Sequence, residues 1–129
     1  ACYHSNLLRE ERVRLIMLPY EPGDDLVFQL ESGFGLIRVL AAEPGVWHVL
    51  VYEDFYPDVE SAEAALARGV ALKAWRAHLP LTERALERTP AARLGNRPVS
   101  DTELTPLREW RARSGEVFDR SVLQMLGLR

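Results

Sequence analysis

The chain has 129 residues, of which 47% are hydrophobic and 27% charged, with a single cysteine. This length predicts one domain over residues 1–129, and the composition excludes collagen, coiled coils, low-complexity disorder and disulfide scaffolds. No apolar run approaches the roughly 18 residues that cross a bilayer, and no basic segment precedes an apolar one at the start. We therefore expect no membrane span and no secretory signal, and the lone cysteine fits a cytoplasmic location.

The net charge of −3 hides an uneven distribution along the chain. Residues 1–64 hold four arginines and twelve acidic residues (−8), whereas residues 65–129 hold twelve basic and seven acidic residues (+5). Such a division indicates either that two parts of one domain attract each other or that one part meets a charged partner.

Short apolar runs between glycines and prolines dominate the first half and predict β-strands. The predicted strands are 13–18, 26–30, 35–40 and 46–52, separated by turns at 21–25, 31–33 and 44–45. Four short strands at near-regular spacing are typical of a meander or a small barrel. Residues 70–78 alternate in the manner of a closing strand, although the same residues could extend the helix before them.

Helix formers with capping signals dominate the second half. Ser61 and Thr82 are predicted to cap helices over 61–68 and 83–88. Thr89-Pro90 and Thr105-Pro106 each place a cap residue before a proline that suits the first helical position. Ser100-Asp101-Thr102-Glu103 matches a capping box, but a helix from Ser100 would enclose Pro106, so we predict a turn and then a helix. A last helix is predicted over 116–126.

These elements predict an α+β domain. The expected architecture is a curled antiparallel β-sheet or an SH3-like small barrel over about 13–77, packed by C-terminal helices over about 82–127.

Residue types that perform catalysis are poorly grouped along the chain. His4, His48 and His78 lie far apart, and no cysteine or histidine pair has zinc-binding spacing. There is no nucleophile-elbow motif, and Gly33-Phe34-Gly35 lacks the third glycine of a phosphate-binding loop. We therefore predict no catalytic residues, no metal ligands and no cofactor.

Acidic residues in two predicted loops are the most informative polar feature. If the sheet curls, the turn at 24–25 and the segment after the last meander strand come together as a carboxylate patch rimmed by aromatic residues. The patch is either a solvated surface with acids at a helix start, or a surface that binds a basic protein. The candidate binding residues are Asp24, Asp25, Glu53, Asp54, Phe55, Tyr56 and Asp58.

Two other functions stay open. One is a small metal-assisted enzyme that uses the same carboxylates to bind Mg²⁺ or Ca²⁺. The other is DNA binding by the arginine-bearing C-terminal helices, with residues 106–126 as a helix-turn-helix. The acidic β-rich half argues against nucleic acid on its face, and Glu116 and Asp119 oppose phosphate contact at the last helix. The sequence does not indicate an oligomeric state.

The stretch PGDDLVFQLESGFGLIRVL at 22–40 resembles the opening of small SH3-like barrels. It has a Gly-Asp turn, an alternating strand, a glycine-containing hairpin and a second strand that begins at a glycine. Over about 22–52 it is similar in particular to a family of bacterial immunity proteins that neutralise polymorphic toxins. The resemblance implies a non-catalytic binder, whose acidic surface would suit a cationic toxin such as a nuclease, and it brings no functional residues with it. We therefore predict a cytoplasmic, non-catalytic interaction module.

Overall fold

The computed structural model describes residues 18–68, 72–113 and 115–127. Over these ranges the strands are β1 (Asp24–Leu30), β2 (Gly33–Glu43), β3 (Val46–Tyr52), β4 (Ala74–Thr82) and β5 (Ala91–Asn96). The helices are α1 (Val59–Ala67), α2 (Glu83–Glu87), α3 (Thr105–Ala112) and α4 (Val122–Met125). None of the described helices is long and apolar enough to cross a membrane.

The strands form a single antiparallel sheet in the order β4-β3-β2-β1-β5. The first three make a meander, in which Gly45 takes a positive φ of 81° at the second turn. The α+β class is confirmed. The SH3-like barrel is not confirmed, because the described strands form an open sheet with β4 and β5 at its two edges.

Both faces of the sheet are covered, and strand alternation divides the apolar residues between them. In β3, Trp47, Val49 and Val51 pack on the first face, which α2 and α4 cover. Leu50 and Tyr52 pack on the second face, against α1. By the same alternation, two polar side chains lie on the second face: Arg38 in β2 and His48 in β3.

The predicted meander is confirmed with somewhat different bounds. The predicted strands at 26–30, 35–40 and 46–52 are β1, β2 and β3. The strand interpretation of 70–78 is confirmed from Ala74 onward, where β4 begins, and residues 70 and 71 lie outside the described residues. The predicted strand at 13–18 falls, except for Leu18, outside the described residues.

A helix after Thr89-Pro90 was a wrong prediction. Residues 91–96 instead form β5 and pair with β1 from Phe28 to Asp24. The backbone N–H and C=O groups along the outer edge of β1 need hydrogen-bond partners, and this segment supplies them by pairing as a strand. Its local sequence has no clear strand pattern. The segment expected to be wholly helical therefore contributes an edge strand.

Side-chain caps set the starts of α1 and α2 but not that of α3. Asp58, not Ser61, caps α1, because Asp58 Oδ1 accepts from the backbone N of Ser61 at 2.7 Å. Thr82 caps α2 as predicted. The α3 helix follows a turn, also as predicted, but it begins at Thr105 with Leu104 as its N-cap and no side-chain cap, so the prediction that Thr105 caps it is wrong.

The last helix is much shorter than the predicted 116–126. Phe118 instead bridges to Leu81 of β4, with Phe118 N donating to Pro80 O at 2.9 Å. That contact keeps the chain extended, and α4 starts only after Ser121, which forms a capping box with Gln124.

Candidate binding sites

The predicted acidic residues divide into two groups with different surroundings. Asp24 and Asp25 were predicted in a turn, but they begin β1 and are only 0% and 3% exposed. Asp24 Oδ1 accepts from Asn96 Nδ2 at 2.8 Å, and Asp25 Oδ2 accepts from Arg97 Nε at 2.8 Å. The prediction that these two carboxylates are solvated is wrong, because β5 and the residues after it cover them.

Asp25 belongs to a buried network that we call the arginine cluster (Asp25, Arg38, Arg97 and Glu103). Arg38 is 1% exposed, and its Nε donates to Glu103 Oε2 at 2.6 Å while its Nη1 lies 3.4 Å from Asp25 Oδ1. Its other N–H groups donate to the backbone carbonyls of Gly23, Arg97 and Pro98. A buried guanidinium is tolerated only with such complete pairing, so Arg38 ties β1, β2 and the segment after β5 together.

In this cluster, burial and hydrogen bonding shift the pKa of Glu103 in opposite directions. Burial alone would raise that pKa, but the hydrogen bonds from Arg38 and from Ser100 outweigh burial and lower it. Ser100 and Glu103 also make the reciprocal bonds predicted for a capping box: Ser100 N donates to Glu103 Oε1 at 2.9 Å, and Glu103 N to Ser100 Oγ at 3.2 Å. These bonds close a turn, and α3 follows it.

Ion pairs join the acidic first half of the chain to the basic second half. The cross-half pairs are Asp24–Arg93 at 3.5 Å, Asp25–Arg97 at 2.8 Å, Arg38–Glu103 at 2.6 Å and Glu43–Arg111. The uneven charge distribution is therefore satisfied in part within the molecule.

The second group of acidic residues stays on the surface between β3 and α1. We call it the β3–α1 surface (Glu53, Asp54, Phe55, Asp58 and Glu60); all five side chains are exposed, with Phe55 at 49%. Within the described chain no salt bridge reaches its carboxylates. A hydrogen bond from Ser61, at the start of α1, lowers the pKa of Asp58.

Tyr56 anchors the β3–α1 surface to the sheet. Its backbone N and O pair with those of Phe34 at 2.8 Å in each direction. A Cβ at Gly33 would lie 2.6 Å from the carbonyl O of Tyr56, so only glycine allows this approach. The Tyr56 side chain is half-buried, and burial raises its pKa. Tyr56 thus positions the exposed residues beside it.

Two histidines that are 30 residues apart meet on the second face of the sheet. His48 Nδ1 lies 2.9 Å from His78 Nε2, and the rings are stacked at 18°. His48 Nε2 lies 3.1 Å from Glu43 Oε1, and the Trp110 ring of α3 packs edge-on against both imidazoles. We call this group the histidine cluster (Glu43, His48, His78 and Trp110). Sequence reasoning missed it because the two histidines are distant along the chain.

The hydrogen bonds of the histidine cluster define its protonation. Because a carboxylate only accepts, we assign the Nε2 proton of His48 to the bond with Glu43. His48 Nδ1 then accepts from His78 Nε2–H, and both rings are neutral. Burial lowers the pKa of His48, and burial together with the neighbouring His48 lowers the pKa of His78 to about 4.

A cavity of about 450 Å³ lies on the second face between the arginine cluster and α1. Leu50, Leu66 and Leu72 form its apolar wall, and Tyr52, Arg97 and Ser100 contribute polar groups. A neighbouring cavity of about 360 Å³ shares Leu66 and Arg97 with it.

The acidic loops do not gather into a metal site in the described part of the chain. Glu63 of α1 lines the smaller cavity together with Asp25. Across residues 18–68, 72–113 and 115–127, however, no three His, Cys, Asp or Glu side chains are placed to hold a metal ion together. These residues therefore give the metal-assisted alternative no support.

Three arginines of the C-terminal helices, Arg84, Arg108 and Arg111, form ion pairs with acidic side chains. Arg84 Nη2 lies 2.5 Å from Asp119 Oδ2, and Arg108 pairs with Asp101. The α4 helix has four residues, which is short for the second helix of a helix-turn-helix. Nothing in this arrangement favours the DNA-binding alternative.

Comparisons of the chain with protein-family models, with curated proteins and with solved structures gave no match.

Proposed function

We propose that this protein is a non-catalytic interaction module that binds a partner with a basic surface through the β3–α1 surface. One observation carries the proposal: an exposed phenylalanine, Phe55, is flanked by carboxylates that no described basic residue pairs with. An aromatic anchor surrounded by charge is the arrangement that protein interfaces use for affinity and orientation.

The contrast with the other acidic residues supports this choice. Asp24, Asp25 and Glu43 are engaged by arginines of the second half. The exposed carboxylates of Glu53, Asp54 and Glu60 form no ion pair within the described residues. A row of unpaired like charges stabilises the folded chain little and repels itself. Binding of a cationic surface would neutralise these charges and remove their mutual repulsion, which favours the complex.

The resemblance to immunity proteins narrows the proposed partner to a cationic toxin such as a nuclease. In that version of the proposal the module inhibits by occupying the surface with which the toxin meets nucleic acid phosphates. Acidic side chains are suited to this because they take the place of phosphates on the toxin.

Charge reversal with a matched control tests the proposal. The chain with E53K and D54K is compared as bait with the unchanged chain and with a chain carrying E87K and E109K, which reverses two exposed carboxylates elsewhere. Partners from the native cell lysate are quantified by mass spectrometry. We expect a basic partner to be recovered by the unchanged and control baits, and to be lost with E53K/D54K and reduced with F55A. Equal recovery by all four baits would contradict the proposal.

A further inference from the structure

The cavity beside the arginine cluster has the size and lining of a small-molecule site. Its volume of about 450 Å³ falls within the range of roughly 300–1,000 Å³ that ligand pockets occupy. The apolar wall comes from Leu50 of β3, Leu66 of α1 and Leu72. A ligand therefore finds an apolar surface on one side and polar groups on the other.

The carboxylates around this cavity are engaged by arginines. Glu103 Oε2 accepts from Arg38 Nε, and Glu103 Oε1 accepts from Arg38 Nη2 and from the backbone N of Ser100. Both oxygens of Asp25, which approach from β1, accept from Arg97. A ligand that offers donors would find no free carboxylate among these residues.

Donors, in contrast, remain available. Arg97 has five N–H groups. Two of its nitrogens donate to Asp25, and it also interacts with Tyr52. The remaining N–H groups have no acceptor within the described chain and can donate to a ligand. Ser100 Oγ accepts from Glu103 N and keeps its own proton to donate. Tyr52 is 7% exposed and lines the cavity. Its hydroxyl interacts with Arg97 and has a proton for a ligand.

The state of Tyr52 agrees with a donor role. Burial raises its pKa, the hydrogen bond from Arg97 opposes that rise, and the net direction is upward. The hydroxyl therefore stays protonated at neutral pH, and it is a donor rather than a competing anion.

We propose that this cavity binds a small monocarboxylic acid with an apolar body. The carboxylate accepts hydrogen bonds from Arg97, Ser100 and Tyr52, and the hydrocarbon part packs on Leu50, Leu66 and Leu72. The charges of the arginine cluster sum to zero, since two guanidiniums face two carboxylates. A monoanion adds one negative charge to this balance, whereas a phosphate dianion would add two, so the site favours a carboxylate.

This site is independent of the proposed partner surface. It lies against the loop that precedes α3 and against the inner side of α1, and it uses none of the residues of the β3–α1 surface. Either proposal can fail without affecting the other.

Calorimetric titration with hexanoate tests the inference, with hexanol and inorganic phosphate as comparison probes. Y52F removes one donor and keeps the ring, and Y20F is the matched control, because Tyr20 packs on the first face and donates to Ala91 O. L66W fills the cavity. Circular dichroism of each variant checks that it folds.

We expect hexanoate to bind the unchanged chain at millimolar concentration or below, and Y20F to bind equally well. Y52F is expected to weaken binding about tenfold, the effect of losing one hydrogen bond to a charged group, and L66W to abolish it. The inference is overturned if hexanoate does not bind, if Y52F binds like Y20F, or if hexanol or phosphate binds as tightly as hexanoate. If L66W does not fold, the comparison of hexanoate binding by Y52F and Y20F still tests the inference.

Discussion

The arginine cluster and the histidine cluster lie on the same face of the sheet, yet they satisfy their buried polar groups differently. The arginine cluster joins opposite charges: Arg38 and Arg97 face Asp25 and Glu103. The histidine cluster joins two neutral rings at 2.9 Å, with one carboxylate at its edge. Each connects the sheet to the C-terminal part of the chain, the first through the loop before α3 and the second through Trp110.

The difference predicts how each cluster responds to its surroundings. A guanidinium keeps its proton at any ordinary pH, and the lowered pKa of Glu103 keeps that carboxylate charged further into the acidic range, so these two groups stay paired near neutral pH. The bond between His48 and His78 requires that one facing nitrogen be unprotonated, because two donors cannot share a hydrogen bond. The arginine cluster therefore keeps its ion pairs above the pH range in which carboxylates titrate, whereas the bond between the two histidines holds only while His48 Nδ1 is unprotonated.

Removing Arg38 should have the largest effect on stability. R38M keeps the approximate size of the side chain but removes the bonds that Arg38 donates to Asp25, Glu103 and three backbone carbonyls. Asp25 keeps its bonds from Arg97, and Glu103 keeps the bond from Ser100 N. We expect the free energy of unfolding, measured by urea denaturation, to fall by about 3–5 kcal/mol, as it does when one partner of a buried ion pair is removed.

The control for R38M is R84M, which breaks the exposed pair between Arg84 and Asp119. Exposed pairs contribute about 0–1 kcal/mol, so R84M should change little. If R38M cost no more than R84M, Arg38 would not hold the β1, β2 and post-β5 segments together, and the contrast between the two clusters would fail.

The histidine cluster should make stability depend on pH in a defined window. The pKa of His78 is about 4 in the folded chain and about 6.5 in an unfolded one, so the unfolded state takes up the proton first as pH falls. The free energy of unfolding therefore keeps its full value above about pH 6.5 and decreases as the pH drops towards 4. One such proton gives a slope of up to about 1.4 kcal/mol per pH unit.

H78Q isolates this contribution, since a glutamine Nε2 can still donate to His48 Nδ1 but does not titrate. The comparison belongs between about pH 5 and 6.5, above the range where carboxylates titrate. We expect urea midpoints of the unchanged chain to fall across that window and those of H78Q to stay flatter. If the urea midpoints of both chains changed with pH in parallel, the stability that the histidine pair contributes would not depend on its protonation.

The sequence contained the signal for one cluster and not for the other. Arg38 lies in the middle of the apolar run Leu36–Leu40, and alternation places it on the same face as Leu36 and Leu40. A buried arginine needs carboxylates, so an ion-paired core could have been predicted there. Its partner Glu103 lies 65 residues further along, and local patterns carry no information on that pairing.

The histidine cluster depends on register, which local patterns do not determine. In the pairing of β3 with β4, His48 lies opposite Pro80, and His78 reaches it from the diagonal position two residues away. The burial of Asp24 and Asp25 has a similar origin, since it depends on β5, whose sequence has no strand pattern of its own. The exposed position of Phe55, by contrast, follows from the strand end and the helix start around it.

Replacing the carboxylate at the edge of the histidine cluster should have the smallest effect. E43Q keeps an oxygen that accepts from His48 Nε2 but removes the charge that faces Arg111. Glu43 is 34% exposed and Arg111 52%, so we expect a loss of less than about 1 kcal/mol in urea denaturation at pH 7. A nearby negative charge favours an imidazolium, so the pKa of His48, followed by proton NMR, should fall further. A loss as large as that of R38M would mean that charge, and not two neutral rings, holds the histidine cluster together.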